Sequence, residues 1–179
     1  MNLNRIKTAL LAASCGLLTA CASPDVSHYQ QAEPKLDLAR YFVGTTDAWG
    51  MFQKRSGEVV KRFHVEITGT QRDGKLVLDE RFSYDDGSKD QRVWTLTQQA
   101  DGSWRGTAAD VKGEATGKVA GNALNWQYTL LLPVDGKTYE VQFDDWMFLL
   151  DEHSMINRAS MRKFGFELGQ VTLFFKKRS

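Results

Sequence analysis

From Gly57 to the end of the chain, apolar and polar residues alternate in short runs that are separated by turn sequences. Phe63, Val65 and Ile67 alternate with polar residues, and the turn sequence QRDG follows them. The later runs are built on Leu76, Leu78, Phe82 and Tyr84, on Trp94 and Leu96, on Leu124, Trp126, Tyr128, Leu130 and Leu132, and on Tyr139, Val141, Phe143, Met147 and Leu149. This period of two predicts strands that each have one buried face.

Two further segments, residues 155–164 and 170–176, complete the pattern, although the first also suits a short helix. The spacing of the strands is close and there is hardly a helical period, so we predict an all-β fold. An antiparallel meander of about eight to ten strands that closes into a β-barrel would bury the exposed strand edges.

The sequence LDLARYFVG, from Leu36 to Gly44, is followed by Trp49 and resembles the opening segment of lipocalins. In that family a short turn leads to a Tyr, a Gly and a Trp at the barrel mouth. Four residues lie between Gly44 and Trp49, whereas lipocalins place one there. The resemblance implies a lipocalin-like (calycin-type) barrel, and an eight-stranded barrel of this kind can hold one small ligand.

The N-terminus has the organisation of a bacterial signal peptide. The apolar run 8–18 follows Arg5 and Lys7 and is too short to cross about 30 Å of hydrocarbon. It ends in LTAC, residues 18–21, which resembles the lipobox of bacterial lipoproteins. The resemblance implies cleavage before Cys21, a diacylglyceryl group on its sulfur and an acyl chain on its new amino group.

A lipidated Cys21 would fix the protein to a membrane, because each buried CH₂ contributes about 0.8 kcal/mol. Ala22 rather than Asp follows the cysteine, which by the sorting rule of bacterial lipoproteins implies the outer membrane, with the domain facing the periplasm. The alternative is ordinary secretion with cleavage near Ala22 and no anchor. We therefore expect a signal peptide over residues 1–20, a lipidated N-terminus and solvated tether over 21–35, and one barrel domain over 36–179.

The composition is that of a single globular domain that does not bind nucleic acid: 42% of the residues are hydrophobic, and 23 Lys and Arg balance 22 Asp and Glu. Cys15 leaves with the signal peptide and Cys21 is lipidated, so we expect no disulfide. The three histidines are scattered and no catalytic motif occurs. We expect a non-catalytic protein with no metal and no cofactor besides the covalent lipid.

Alternation also places charged residues inside the predicted barrel. Glu80 shares a face with Leu78 and Phe82, and Asp145 shares a face with Phe143, whereas Asp144 faces the other way. Since a buried ion is costly unless it is paired, each inward carboxylate implies a partner or a raised pKa.

Arg92 lies on the strand after Glu80 and would be close enough to be its partner in either same-face register. Arg158 is a candidate partner for Asp145, with its facing left open. One interpretation is a structural ion pair at one end of the barrel. The other is a polar handle that orients the head group of a fatty acid or similar lipid, with Trp94, Trp126 and Tyr128 as walls. The candidate ligand-binding residues are Glu80, Arg92, Trp94, Trp126, Tyr128, Asp145 and Arg158.

Between residues 106 and 117 the chain is rich in Gly and Ala, which either lets backbones approach closely or leaves volume for a ligand. Two hypotheses for function follow. The protein is an outer-membrane lipoprotein whose barrel binds or carries a hydrophobic molecule, or it is an envelope module with a fully packed barrel that acts through protein contacts.

Most of the mature chain is similar to an uncharacterised family of proteobacterial lipoproteins that is known only as a domain of unknown function. The similar motifs are AWGMF from Ala48, LDERFSYDDG from Leu78, RVWTL from Arg92, GNALNWQYTLLLP from Gly121, DDWMFLLD from Asp144, NRASMRKFG from Asn157, and FFKK near the end. The resemblance implies membership of that family and implies no activity.

Overall fold

A computed structural model describes residues 24–179, in which ten antiparallel strands follow one another around a closed barrel. The strands are β1 (Gly44–Lys54), β2 (Val59–Arg72), β3 (Lys75–Tyr84), β4 (Lys89–Gln98), β5 (Trp104–Thr107), β6 (Ala115–Ala120), β7 (Ala123–Val134), β8 (Lys137–Leu149), β9 (Ser154–Lys163) and β10 (Phe166–Lys177). The predicted all-β meander barrel is confirmed, with ten strands.

The barrel closes because its first and last strands pair. The register of β1 on β10 runs from Thr46 opposite Lys177 to Lys54 opposite Gly169. Within the described residues, closure leaves no sheet edge open to pairing with another chain. The ten strands of residues 24–179 therefore pair only with one another.

Strand β1 was not predicted from the sequence, because its inward residues are small and a large aromatic residue faces outward. The inward Thr46 and Ala48 are small and fully buried, whereas Trp49 points outward and is 51% exposed. The strand is held by its neighbours β2 and β10 rather than by large apolar side chains of its own.

Strand β9 resolves the choice between a strand and a short helix over residues 155–164. Asn157 and Ala159 are buried, whereas Ile156 and Arg158, which precede them in turn, are exposed. This alternation is that of a strand.

One end of the barrel is closed by α1 (Leu38–Phe42), and we call it the closed end. The side chain of Asp37 caps the helix by accepting a hydrogen bond from Arg40 N at 3.0 Å. Phe42 packs into the barrel, and its carbonyl lies so close to Gly69 that a Cβ there would collide with it. Lys177 Nζ donates to the carbonyl oxygen of Tyr41, which ties the helix to β10.

The opposite end, which we call the mouth, is formed by four hairpins and one longer loop. The hairpins are β1–β2, β3–β4, β7–β8 and β9–β10, and the loop of residues 108–114 joins β5 to β6. Nothing comparable to α1 covers this end in the described part of the chain.

The segment before α1 is not a solvated tether in the part that the structure describes. A 3-10 helix, Val26–Tyr29, lies against the outside of the barrel, where Val26 packs on Ala120 and Ala123 at the closed end. Tyr29 makes edge contacts with Trp146 and Phe148, at ring-centroid distances of 5.9 and 5.0 Å. No helix within residues 24–179 is both long enough and apolar enough to cross a membrane.

Candidate functional site

A cavity of about 1120 Å³ occupies the barrel interior. It extends from Phe42 at the closed end, which is 5% exposed, to Leu132 and Leu168 at the mouth, which are 40% and 44% exposed. Its walls are mostly aliphatic and aromatic, and Glu80, Arg92 and Asp145 reach it. The cavity is therefore an apolar pocket that contains a few charged groups and is accessible from the mouth.

Glu80 and Arg92 are direct cross-strand partners on β3 and β4, so the register brings the two candidate partners together. Both side chains point inward and are largely buried. Their nearest charged atoms, Arg92 Nη1 and Glu80 Oε2, are 3.9 Å apart, which is a loose ion pair. Glu80 is thus a neighbour of the guanidinium group rather than its main partner.

The main partner of Arg92 is Asp110, which sequence reasoning missed. Arg92 Nη2 and Nε donate to Asp110 Oδ2 at 2.7 and 2.9 Å, a two-pronged contact. Asp110 lies in the loop 108–114, whose backbone is fixed because Leu131 N donates to Asp110 O at 2.7 Å. Residues in a loop do not alternate between two faces, so the sequence could not predict the direction of the Asp110 side chain.

Asp145 lies deeper in the cavity on β8, opposite Trp126. The residue is 7% exposed, and its Oδ1 atom has no hydrogen-bond partner within the described residues. Its neighbour Asp144 faces outward, where it accepts a hydrogen bond from Asn125 Nδ2 at 2.7 Å. The prediction that these two acids face opposite ways is confirmed, and Asp145 offers an unused polar atom to the cavity.

Burial governs the protonation of the two inward carboxyl groups. It raises the pKa of Glu80 to about 7, against the opposing effect of Arg92. It raises the pKa of Asp145 to about 8, again opposed by Arg92 and reinforced by Asp144. At neutral pH Asp145 is therefore mostly a neutral carboxylic acid, which can donate as well as accept a hydrogen bond.

Arg92 keeps its charge inside the barrel. Burial acts to lower its pKa, but the negative charges of Glu80 and Asp110 raise it above its ordinary value. Three carboxyl groups thus act on one guanidinium group, whose Nε and Nη2 atoms donate to Asp110.

The predicted aromatic walls are present and in mutual contact. The ring of Trp94 meets Trp126 and Tyr128 edge-on, at centroid distances of 5.7 and 5.4 Å. Tyr128 in turn stacks on Phe143, with centroids 5.0 Å apart. Burial raises the pKa of the Tyr128 hydroxyl, so it remains a neutral donor and acceptor.

The small residues of β5 and β6 make room for Trp126 and not for a ligand. A Cβ at Gly106 would lie 2.6 Å from Trp126 Cζ2, and a Cβ at Gly117 would also collide with that ring. At these two positions the glycines therefore allow close packing of the indole ring against the strands.

One candidate ligand-binding residue, Arg158, does not line the cavity. Arg158 lies on the outer face of β9, where its Nε donates to Gln170 Oε1 at 3.0 Å, so it cannot pair with Asp145. The reason is register: Asn157 and Ala159 on either side of it point inward. Cys21 lies outside the described residues.

Asn157 also lines the cavity and was missed by the sequence analysis; it is 1% exposed. The described residues contain no group of three or more His, Cys, Asp or Glu side chains placed to hold a metal ion.

Solved structures share this barrel. A protein of unknown function of the DUF3598 family from Nostoc punctiforme superposes with a TM-score of 0.56 at 10% identity; the match covers 82% of this chain and 51% of that one, so this chain spans about half its length. The S-type phycobiliprotein lyase CPES from Guillardia theta also superposes with a TM-score of 0.56, at 7% identity, covering 87% of this chain and 99% of that one. At these identities the likeness shows the fold alone.

No curated protein matches the sequence. A family described as "Protein of unknown function (DUF3833)" matches residues 15–177, which is nearly the whole chain and includes all ten strands. The chain belongs to the DUF3833 family.

Proposed function

We propose that this protein is a lipoprotein of the outer membrane whose barrel binds a hydrophobic small molecule in the periplasm. The observation that carries the binding function is the apolar cavity of about 1120 Å³, which exceeds the volume of about 300–1,000 Å³ usual for small-molecule sites. The alternative is an envelope module that acts through protein contacts, and its fully packed barrel would leave no such space. The function proposed is binding and not catalysis.

The charged groups favour a ligand with an uncharged polar head. Since Nε and Nη2 of Arg92 already donate to Asp110, a fatty-acid carboxylate would have only the remaining Arg92 donors, and it would add a negative charge beside Asp110, Glu80 and Asp145. A hydroxyl, ester or amide group adds no charge and can use the free Oδ1 atom of Asp145. This differs from the fatty-acid head group expected from the sequence, and the cause is Asp110.

A direct test compares two probes that share one acyl chain, monoolein and oleate, by native mass spectrometry and quenching of Trp fluorescence on residues 24–179. We expect monoolein to bind more tightly than oleate at pH 7. Equal binding of both would support a lipid-binding barrel and contradict the head-group preference. Binding of neither would contradict the proposed function.

A variant that fills the cavity tests the location. Ala159 lies opposite Asp145 on the inner face of the barrel, and its neighbour Ser160 faces outward. Ala159→Phe should abolish monoolein binding, whereas the matched control Ser160→Phe should retain it. Retained binding in a folded Ala159→Phe protein would place the ligand elsewhere.

The anchor is tested separately. Cys21→Ala should leave the full chain unprocessed by the lipoprotein signal peptidase and unlabelled by radioactive palmitate. Normal processing of that variant would refute the lipobox assignment and favour secretion without an anchor.

A further inference from the structure

Large apolar side chains are exposed at the mouth of the barrel. Phe164 is 85% exposed and Phe166 is 72% exposed, both in the β9–β10 hairpin. The neighbouring hairpins add Val59 and Val60 of β2 and Leu132 and Val134 of β7, each between 40% and 49% exposed. Soluble surfaces seldom concentrate apolar residues in this way unless the surface binds something.

These residues form one continuous arc. Around the barrel the strand order is β2, β1, β10, β9, β8, β7, so the hairpins β1–β2, β9–β10 and β7–β8 are consecutive along the rim. We call these three hairpins, residues 54–60, 132–138 and 162–168, the apolar arc. The remaining half of the rim consists of the β3–β4 hairpin and the loop 108–114.

The conformation of Phe164 indicates that its exposure serves a function. Its φ is +51°, in the left-handed region that a bulky residue rarely adopts. The equivalent turns at Asp73–Gly74 and Asp135–Gly136 have the same geometry with Asp in first place, which is the favoured sequence. At Phe164 the chain therefore carries an aromatic ring at a strained and solvent-exposed turn, where Asn or Asp would be more stable.

The charges along the rim are divided in the same way. The apolar arc carries five cations against three acids, whereas the other half, residues 84–91 and 108–114, carries five acids against two cations. Within the arc, Lys163 Nζ lies 3.8 Å from the centre of the Tyr139 ring and 5.3 Å from that of Phe164. A cation is thus held beside the most exposed aromatic ring.

Exposed aromatic and aliphatic side chains with flanking Lys and Arg match the interfacial region of a bilayer that contains acidic lipids. We propose that the apolar arc docks the mouth of the barrel onto an anionic lipid bilayer, with Phe164 inserted at the level of the head groups. The arc includes Leu132 and Leu168, which line the cavity, so docking places the cavity entrance against the lipid. This inference goes beyond ligand binding and does not depend on it.

The test is cosedimentation of residues 24–179 with vesicles of phosphatidylethanolamine and phosphatidylglycerol, compared with phosphatidylcholine alone. This part of the chain lacks Cys21, so binding cannot come from the anchor. We expect binding to the anionic vesicles. Binding of Phe164→Asn should be at least about tenfold weaker, because the variant loses the free energy of burying one aromatic ring. Because Asn suits the left-handed turn, this variant should be as stable as the parent protein.

Leu150→Ser is the matched control, since Leu150 is 50% exposed beyond the end of β8, at the closed end. It should bind vesicles like the parent protein. No binding by the parent protein, or equal loss in both variants, would overturn the proposal. A dimer in light scattering that Phe164→Asn dissociates, with no vesicle binding, would also overturn it and assign the arc to a second copy of the chain.

Discussion

Arg92 and Asp110 are joined by a two-pronged ion pair inside the barrel, although Asp110 belongs to a loop and Arg92 to a strand. The pair connects the β5–β6 loop to the wall of the cavity and occupies the Nε and Nη2 donors of the guanidinium group. It also leaves Asp145 without a charged partner within hydrogen-bonding distance in the described residues. This arrangement determines how the site responds to pH and to substitution.

The stability of the protein should fall as the pH rises from about 5 to about 8. The pKa of Asp145 is raised from 3.8 to about 8 and that of Glu80 from 4.5 to about 7, so the folded state holds protons that the unfolded state has released. This stabilisation is complete below the unfolded pKa values and is lost as the pH passes the folded ones, at about 1 kcal/mol per pH unit for each group. Urea unfolding across this range measures it.

Asp145→Asn should remove about half of that slope up to about pH 7 and nearly all of it above, because an amide does not titrate whereas Glu80 still does. The variant should gain stability over the parent protein as the pH rises. Asp144→Asn is the matched control, since Asp144 lies outside the cavity, and its effect should not vary over the same range. An unchanged slope in Asp145→Asn would show that this carboxyl group is not responsible.

Asp110→Asn should destabilise the protein by about 1–2 kcal/mol. Breaking a buried ion pair costs about 3–5 kcal/mol, but the Asp110 side chain is 38% exposed, and Glu80 remains to compensate Arg92. Glu114→Gln is the control, because Glu114 pairs with Arg105 on the exposed side of the same region. Equal effects of the two variants in urea unfolding would argue against a special role for Asp110.

Gly117→Ala should destabilise the barrel by about 1–3 kcal/mol, the usual cost of overpacking. The added methyl group would meet the ring of Trp126, which must then move. Thr116→Ala on the outer face of the same strand should have little effect. Near-ultraviolet circular dichroism checks the displacement of the indole, and an unaltered spectrum would contradict the prediction.

Tyr29→Ala should lower the free energy of unfolding by about 1–2 kcal/mol, because Tyr29 packs on Trp146 and Phe148 and is only partly buried. His28→Ala, at an exposed position of the same 3-10 helix, is the control. If the segment were a free tether, both variants would behave alike in thermal unfolding.

The sequence predicted the inward groups that lie on regular strands, since an alternation of two determines their facing. Glu80, Arg92 and Asp145 were found in this way. Arg158 was left open because the neighbouring run also suited a helix, and the register of β9 excluded it. Asp110 had no periodic neighbours from which its direction could be predicted.

The rest of the fold depended on partners distant in the chain. Strand β1 exists because β2 and β10 flank it, and its small inward residues gave no hydrophobic period. The 3-10 helix at Val26–Tyr29 binds to the outer wall through few apolar residues, in a segment whose prolines and polar residues are typical of linkers. In both cases tertiary contacts, not local preference, determine the structure.

The N-terminal segment and the mouth lie at opposite ends of the barrel, and this has a consequence for an anchored protein. Asp25 lies four positions after Cys21 in the sequence, a reach of at most about 14 Å. Strand β7 has twelve residues, so the two ends are about 28 Å apart along a tilted barrel. A lipid on Cys21 would therefore hold the closed end near its own bilayer while the mouth faces away from it. The ligand proposed above would then be exchanged with a second surface, and the protein would bridge that surface and its own bilayer.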